Sequence, residues 1–584
     1  MSKFRPALIV FIASTACLAA GFSITPFWDE DEPRFAAIAE TMLTTGDWVV
    51  PRYNGTLAVD KPPLMHWSMA ACFTCLGTSE FAARLPSAIA TLLTAHALLH
   101  FGSLWFGATT GILAALAYVG CLLVGVESHA ATPDAILTAL CTWATLLAAE
   151  AILPKGVAGG PNRIGISRAA GVGGLLGLAV LCKGPIGWVG PMAVLMPWAW
   201  WLSMSERLAR HDRSERSIRS IAADVLSSTA RSMWTTRLPL ITAVTLAVAC
   251  PWYVLVGVRT DGAWPAGFFL IHNFGRAAAA MENHSGGFWY HPVTMLVGFF
   301  PWSCFLPLSI ATTAWRVFRG GGSARRTQVE GLLLLWIVVW LAGFSLAATK
   351  LPNYILPAYP AAALLVAACA VDAASKARWP HPRWLATGLG CLAFGGVATS
   401  ATIIATIFFG LDHAAPAAVI GLVPMAGAAA CLWYARRDPQ AALRTIAITG
   451  LAYTALMVGP VGAWLAKGNT LPALVQRAHR HAGGRARIGT FTQNTPNIVY
   501  YAHGNVMEWR EEDAADAAKF LESGNDALLL LPENQLALLA AHASNDIRVI
   551  GRQRPLFKDE DWLLVGSRGI DHDRDVDGQV ARVR

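Results

Sequence analysis

Apolar runs of about 20 residues, the length a helix needs to cross roughly 30 Å of hydrocarbon, recur over most of this chain. They lie near 7–25, 82–101, 109–126, 136–153, 169–181, 187–202, 238–258, 292–314, 331–348, 354–371, 385–410, 416–434 and 445–467. A polytopic α-helical membrane protein with about thirteen spans is therefore expected. Composition agrees: of 584 residues 55% are hydrophobic and 14% charged, against about 25% charged in ordinary soluble domains. A water-soluble globule is excluded. Eleven cysteines, all before Leu432 and mostly inside apolar runs, form no disulfide framework. The Cys72/Cys75 pair lacks the second pair or His cluster that a metal site requires.

Charge sets the orientation. The first apolar run lacks a good small-residue cleavage pattern and reads as a retained span with a cytoplasmic N-terminus, not a signal peptide. The even-numbered spans then return to loops holding Lys155, Arg163 and Arg168; Arg207, Arg210, Arg213, Arg216 and Arg219; Arg316, Arg319, Arg325 and Arg326; Lys376, Arg378 and Arg383; and Arg436 and Arg437. This is the positive-inside pattern, and it explains the net charge of +8 without a nucleic-acid partner. An odd number of spans leaves the C-terminus outside. From 468 the composition is that of a soluble domain, with strand-like runs at 487–491, 527–531, 547–550 and 562–565 and helix-like runs at 471–481, 511–521 and 533–542. The chain thus divides into a membrane domain, 1–467, with outer loops at 26–79 and 259–291, and an outer α/β domain, 468–584, with a disordered charged end.

The outer loops carry the candidate chemistry. Past the first span runs Asp29-Glu30-Asp31-Glu32-Pro33-Arg34-Phe35, four carboxylates in a row. Such a run repels itself and needs water, cations or a polar ligand. Pro33 suits a first helical turn, and Phe35, Ile38, Ala39 and Met42 recur at helical spacing, so the acids sit at a helix N-terminus, where a plain solvated cap is the alternative. Lys61, before Pro62 and Pro63, is held extended and suits a fixed cation for a phosphate. Asn54-Gly55-Thr56 is formally a glycosylation sequon and is assigned no role.

These segments, with Gly46-Asp47-Trp48 and Asp60-Lys61-Pro62-Pro63, resemble the GT-C lipid-dependent glycosyltransferases. The resemblance is to the 4-amino-4-deoxy-L-arabinose (lipid A) transferases, related to protein O-mannosyltransferases. Thr132-Pro133-Asp134, Cys182-Lys183-Gly184-Pro185, Pro251-Trp252-Tyr253, His272-Asn273-Phe274-Gly275-Arg276 and the run from Lys350 to Pro357 extend it. The resemblance implies a GT-C fold and inverting transfer of the amino sugar from undecaprenyl phosphate to a lipid A phosphate, with no cofactor required. It implies Asp31 at the active centre beside Glu32, with Asp134 as the second outer acid. Around the carrier phosphate it places Arg34, Lys61, Arg276, Lys350 and Tyr354, with Lys183 as a further cation. A divalent metal is the lesser alternative, through His272, His284 and Glu282. The expected setting is the bacterial inner membrane, as a monomer among membrane lipids, with site and C-terminus periplasmic. A protein hydroxyl or another polyprenyl-linked sugar is the alternative substrate. A transporter is a third reading, disfavoured because charges lie at span ends and not near span centres.

Overall fold

The computed structural model describes residues 5–21, 25–28, 31–154, 161–210, 218–275, 285–319, 324–375, 382–409, 412–435, 437–468, 470–484, 486–493, 495–504, 506–544, 546–555 and 560–567. Arg276, Glu282 and His284, and the acids Asp29 and Glu30, lie outside the described residues.

Among the described residues nine helices are long and apolar enough to cross a membrane. A bent pair, Ala108–Val119 and Leu122–Ser128, turning by 66°, makes ten. At the bend Cys121 is extended, and the Leu122 N–H reaches the Phe300 carbonyl at 3.0 Å instead of a carbonyl of its own helix. Three expected spans differ. The first helix, Arg5–Ala19, is only 15 residues long. The 292–314 run is broken into Tyr290–Gly298, Trp302–Cys304 and Leu306–Arg319, because Pro301 supplies no N–H to the helical ladder. The Ile186–Arg210 helix is diluted by Pro191, Pro197 and four Trp and continues into charged residues. The longest unexpected helix, Ile218–Thr236, forms within what the sequence suggested was a basic loop. Its Ile221, Val225, Leu226 and Trp234 are exposed.

The core of the membrane domain is built around the Pro352–Ser375 segment, 78% of whose apolar window is buried. Ala361, Ala362, Ala363 and Ala367 are fully enclosed there, since small side chains let neighbouring helices approach closely.

The C-terminal residues form a five-stranded sheet in the order Met507–Trp509, Arg487–Phe491, Ala527–Pro532, Trp562–Ser567, Ile547–Gln553. The first three strands are parallel and the last two antiparallel. The edge strand Met507–Trp509 and the Pro496–Tyr501 helix are too short for periodicity to reveal. This sheet shares one apolar core with the Asp31–Thr45 and Leu64–Leu76 helices, through Phe27, Phe35, Ile498, Tyr500 and Val506. Asn54, which the sequence left without a role, clasps it. In the Asn54-Gly55 turn, both with positive φ, the Asn54 amide donates to the Val506 carbonyl at 2.9 Å and accepts the Val506 N–H at 2.8 Å. Tyr501 donates to Glu80 at 2.7 Å and accepts the Phe27 N–H at 3.2 Å, and His503 pairs with Glu40 at 3.1 Å.

Candidate active site

Asp31 opens the Asp31–Thr45 helix, where an acid is favoured by the dipole. Glu32, the next residue and an expected catalytic acid, is found in a different setting. It is buried and takes both Nε and Nη2 of Arg84 at 2.9 Å, together with the N–H groups of Ala131 at 2.7 Å and Trp28 at 3.0 Å. Arg84 spends its remaining donors on the Thr25 and Pro26 carbonyls and the Thr25 hydroxyl. One pair thereby ties residues 25–32 to the Glu80–Phe106 span and to the strand of chain leading into Asp134. Arg84 was missed, although an ionisable residue inside an apolar run is itself a signal of a buried partner.

One turn past Asp31, Arg34 lies with Nη2 3.7 Å from Asp60 Oδ1 and with its guanidinium over the Tyr53 ring. Lys61 Nζ stands 3.9 Å from Asp60 Oδ2 and over Phe35. Two cations from separate segments therefore flank one buried carboxylate. Burial alone would raise the Asp60 pKa, but the charges of Lys61 and Arg34, with a smaller contribution from His66, hold it below the usual carboxylate range. His66 is wholly buried against Phe35 with neither ring nitrogen hydrogen-bonded. Burial brings its pKa down to about 4 against the pull of Asp60, so it is neutral at neutral pH.

Asp60 is placed by an aromatic wedge. Trp252 donates to the Val49 carbonyl at 3.1 Å and Trp264 to the Ala58 carbonyl at 2.7 Å. The two indoles meet edge to face. The following Gly267–Gly275 turn packs against Val59, since a Cβ on Gly267 would come within 2.9 Å of it. His272 lies in this turn.

Asp134 begins the Asp134–Ile152 helix, buried, with Lys183 Nζ on Oδ1 at 2.5 Å and the Asn353 amide on Oδ2 at 3.1 Å. Lys183 also lies over the Tyr354 ring at 4.9 Å. Gly184, with φ of 78°, turns the chain here; a Cβ would fall 2.6 Å from Phe268, so only glycine fits. Lys350, expected to face a phosphate, is buried and donates to the carbonyls of Phe344, Ser345 and Ala347 at 3.0, 2.6 and 2.5 Å. It caps the carbonyl end of the Ala324–Leu346 helix. Among the described residues no three His, Cys, Asp or Glu side chains cluster to hold a metal ion.

The helical membrane bundle has the GT-C glycosyltransferase fold, as its likeness to a solved structure shows. The crystal structure of ArnT from Cupriavidus metallidurans bound to undecaprenyl phosphate superposes with a TM-score of 0.74 over 98% of this chain and 99% of that one, at 19% identity. A family model described as dolichyl-phosphate-mannose-protein mannosyltransferase matches residues 60–213. The undecaprenyl phosphate-alpha-4-amino-4-deoxy-L-arabinose arabinosyl transferase of Aeromonas hydrophila is 31% identical over 350 residues, 59% of this chain and 56% of that one. The protein of the same name from Erwinia tasmaniensis is 26% identical over 421 residues, 71% of this chain and 67% of that one. The chain thus spans a little over half the length of the first of these curated relatives. The resemblance to the aminoarabinose transferases related to mannosyltransferases stands in sequence and in fold.

Proposed function

We propose that this protein is an inverting glycosyltransferase that moves 4-amino-4-deoxy-L-arabinose from undecaprenyl phosphate to a phosphate of lipid A. The observation that carries the reading is the pair of cations, Arg34 and Lys61, at 3.7 and 3.9 Å from the buried Asp60, one turn from Asp31. These separations are longer than charge-assisted hydrogen bonds, so a phosphate can draw both cations off Asp60 into shorter contacts. The carrier phosphate gains negative charge as the anomeric bond breaks, and fixed cations then stabilise the transition state more than the ground state. Relatives named for the same carrier, and a neighbour of like fold with undecaprenyl phosphate bound, support this reading.

An apolar groove of about 640 Å³ lined by Leu123, Val126, Trp289, Val293, Val297 and Pro352 suits the isoprenoid tail. Lys350 packs against Gly286, the neighbour in sequence of Gly287 in the lining. Arg276 completes the phosphate clamp in this reading. Glu32, Asp134 and Lys183 act as positioning residues, Lys350 serves as a helix cap, and Tyr354 forms the wall beside Lys183. A phosphate monoester acceptor has its second pKa near about 6 and is largely ionised without a base. Asp31 therefore orients the donor's amino sugar and does not act as a general base. The displacement needs no cofactor; a metal held through His272, Glu282 and His284 is the lesser alternative. The setting is the bacterial inner membrane, with about thirteen spans, a monomer, and the site and C-terminal domain facing the periplasm.

Asp31→Ala is expected to lower transfer of labelled sugar between purified lipids by about 10³-fold with an unchanged unfolding profile. Near-normal turnover refutes the role. Mass analysis of lipid A from cells with and without the gene separates this acceptor from a protein hydroxyl, which would leave lipid A unaltered.

A further inference from the structure

The Asp134–Ile152 and Ile166–Lys183 helices meet the candidate site at Asp134 and Lys183; their far ends carry Glu150 and Arg168. At about 1.5 Å per residue those ends lie more than roughly 20 Å away, at the opposite face of the membrane domain. There a cavity of about 730 Å³ is lined by His100, Glu150, Asn162, Arg163, Ser167 and Arg168.

Its charge is lopsided. Glu150, the acid of the lining, is already engaged, accepting from Arg325 Nη2 at 3.0 Å and from the Trp105 indole at 2.5 Å. Arg163 and Arg168 are exposed, and among the described residues no ion pair joins either to an acid. Arg237, anchored on the Ile164 carbonyl at 2.6 Å, adds a third cation. Desolvation and this neighbouring guanidinium hold the Arg163 pKa below the usual arginine value. Like charges so close favour an anion between them. The Ile166–Lys183 helix also starts here without a side-chain cap at Gly165, leaving first-turn N–H groups of the same sign.

The rim is apolar. Leu104, Ile166 and Trp234 are 51%, 64% and 61% exposed, and Arg163 stacks 3.3 Å above the Trp234 ring. Trp234 belongs to the Ile218–Thr236 helix, which pairs Asp224 and Arg231 with Arg207 and Glu206 of the Ile186–Arg210 helix and leaves Ile221, Val225 and Leu226 exposed. A small aqueous anion gains nothing from such a rim, whereas a lipid uses both parts. We propose that this corner is a binding site for the headgroup phosphate of an anionic phospholipid, in the leaflet opposite the candidate active site. Basic pockets between spans recognise such headgroups through the same combination. The proposal is independent of the transfer reaction.

Purified full-length protein in detergent, titrated with dioctanoyl phosphatidylglycerol or dioctanoyl phosphatidylcholine and read by native mass spectrometry, is expected to hold the anionic lipid about tenfold more tightly. Arg168→Glu, at an exposed side chain that packing does not need, should lower that preference by about fivefold or more. The double change Arg163→Ala with Arg168→Ala should abolish it. Arg437→Glu, at an exposed arginine stacked on Trp433 and outside the cavity, should leave it intact. Equal retention of the two lipids, or a preference that survives Arg168→Glu, overturns the proposal. Displacement of the lipid by millimolar inorganic phosphate overturns it too, because the site would then serve a free anion.

Discussion

Lys61 and Lys350 come from different loops at one face of the bundle and carry the same charge, yet the fold employs them in opposite ways. Lys61 stands at ion-pair distance from Asp60, above an aromatic ring, in a contact that a phosphate can replace. Lys350 has given three hydrogen bonds to a helix end. The same contrast separates Arg34, partly exposed beside Asp60, from Arg84, buried with all its nitrogens committed. Lys350 and Arg84 make short hydrogen bonds to carbonyls or to a buried carboxylate, whereas Lys61 and Arg34 stand 3.9 and 3.7 Å from Asp60. Neither the residue type nor its position in a motif distinguishes the two.

The contrast can be broken most directly at Arg84. Arg84→Met leaves Glu32 buried and unpaired and is expected to cost about 3–5 kcal/mol of stability, measured by denaturant unfolding or the yield of folded protein; unchanged stability would mean that the pair does not hold the loop. Lys61→Ala should do the reverse, costing less stability than Arg84→Met because Arg34 still faces Asp60, while kcat/KM for the lipid-linked donor falls about 10²–10³-fold. Lys350→Met sharpens the distinction. Removing the donor of three helix-end hydrogen bonds should cost about 1–3 kcal/mol, with turnover per folded molecule nearly unchanged. A tenfold or greater loss of turnover at wild-type stability would move Lys350 into the ligand-binding group.

The smallest effect concerns the domain junction. The hydrogen bond that His503 donates to Glu40 raises the His503 pKa against a lesser desolvation effect. Its stabilising contribution is therefore fully present below the ordinary histidine value of about 6.5 and fades as pH rises through the raised one. The pair is exposed enough for screening to keep it under about 1 kcal/mol. His503→Ala should thus lower the midpoint of thermal unfolding at pH 5.5 and hardly at all at pH 9. An equal loss at both pH values would assign the effect to packing.

Much of this was legible beforehand, for identifiable reasons. Apolar runs announce helices because hydrocarbon leaves the backbone no other partner. The helix after Pro33 followed from spacing, as did the C-terminal strands at Arg487–Phe491 and Ala527–Pro532. The break at Pro301 and the Ile218–Thr236 helix were not foreseen. Pro301 breaks its run while Pro86 and Pro251 sit inside continuous helices, so a proline in an apolar run does not by itself foretell a break, and the Ile218–Thr236 helix has an amphipathic period masked by a basic flank. Among the candidate site residues, Asp31, Arg34 and Lys61 were singled out from local motifs. Arg84, Asn353, His66 and the Trp252/Trp264 wedge gained meaning only from neighbours far off in the chain.

Sequence by itself settled that this chain lies in a membrane, which residues gather in its loops and what chemistry those residue types can support. These follow from transfer free energies and charge, which belong to each residue wherever it sits. Only the tertiary structure decided which cations stand beside Asp60 and which are bound to the scaffold. That is fixed by which carbonyl or carboxylate lies within about 3 Å, a distance set by segments separated by tens to hundreds of residues.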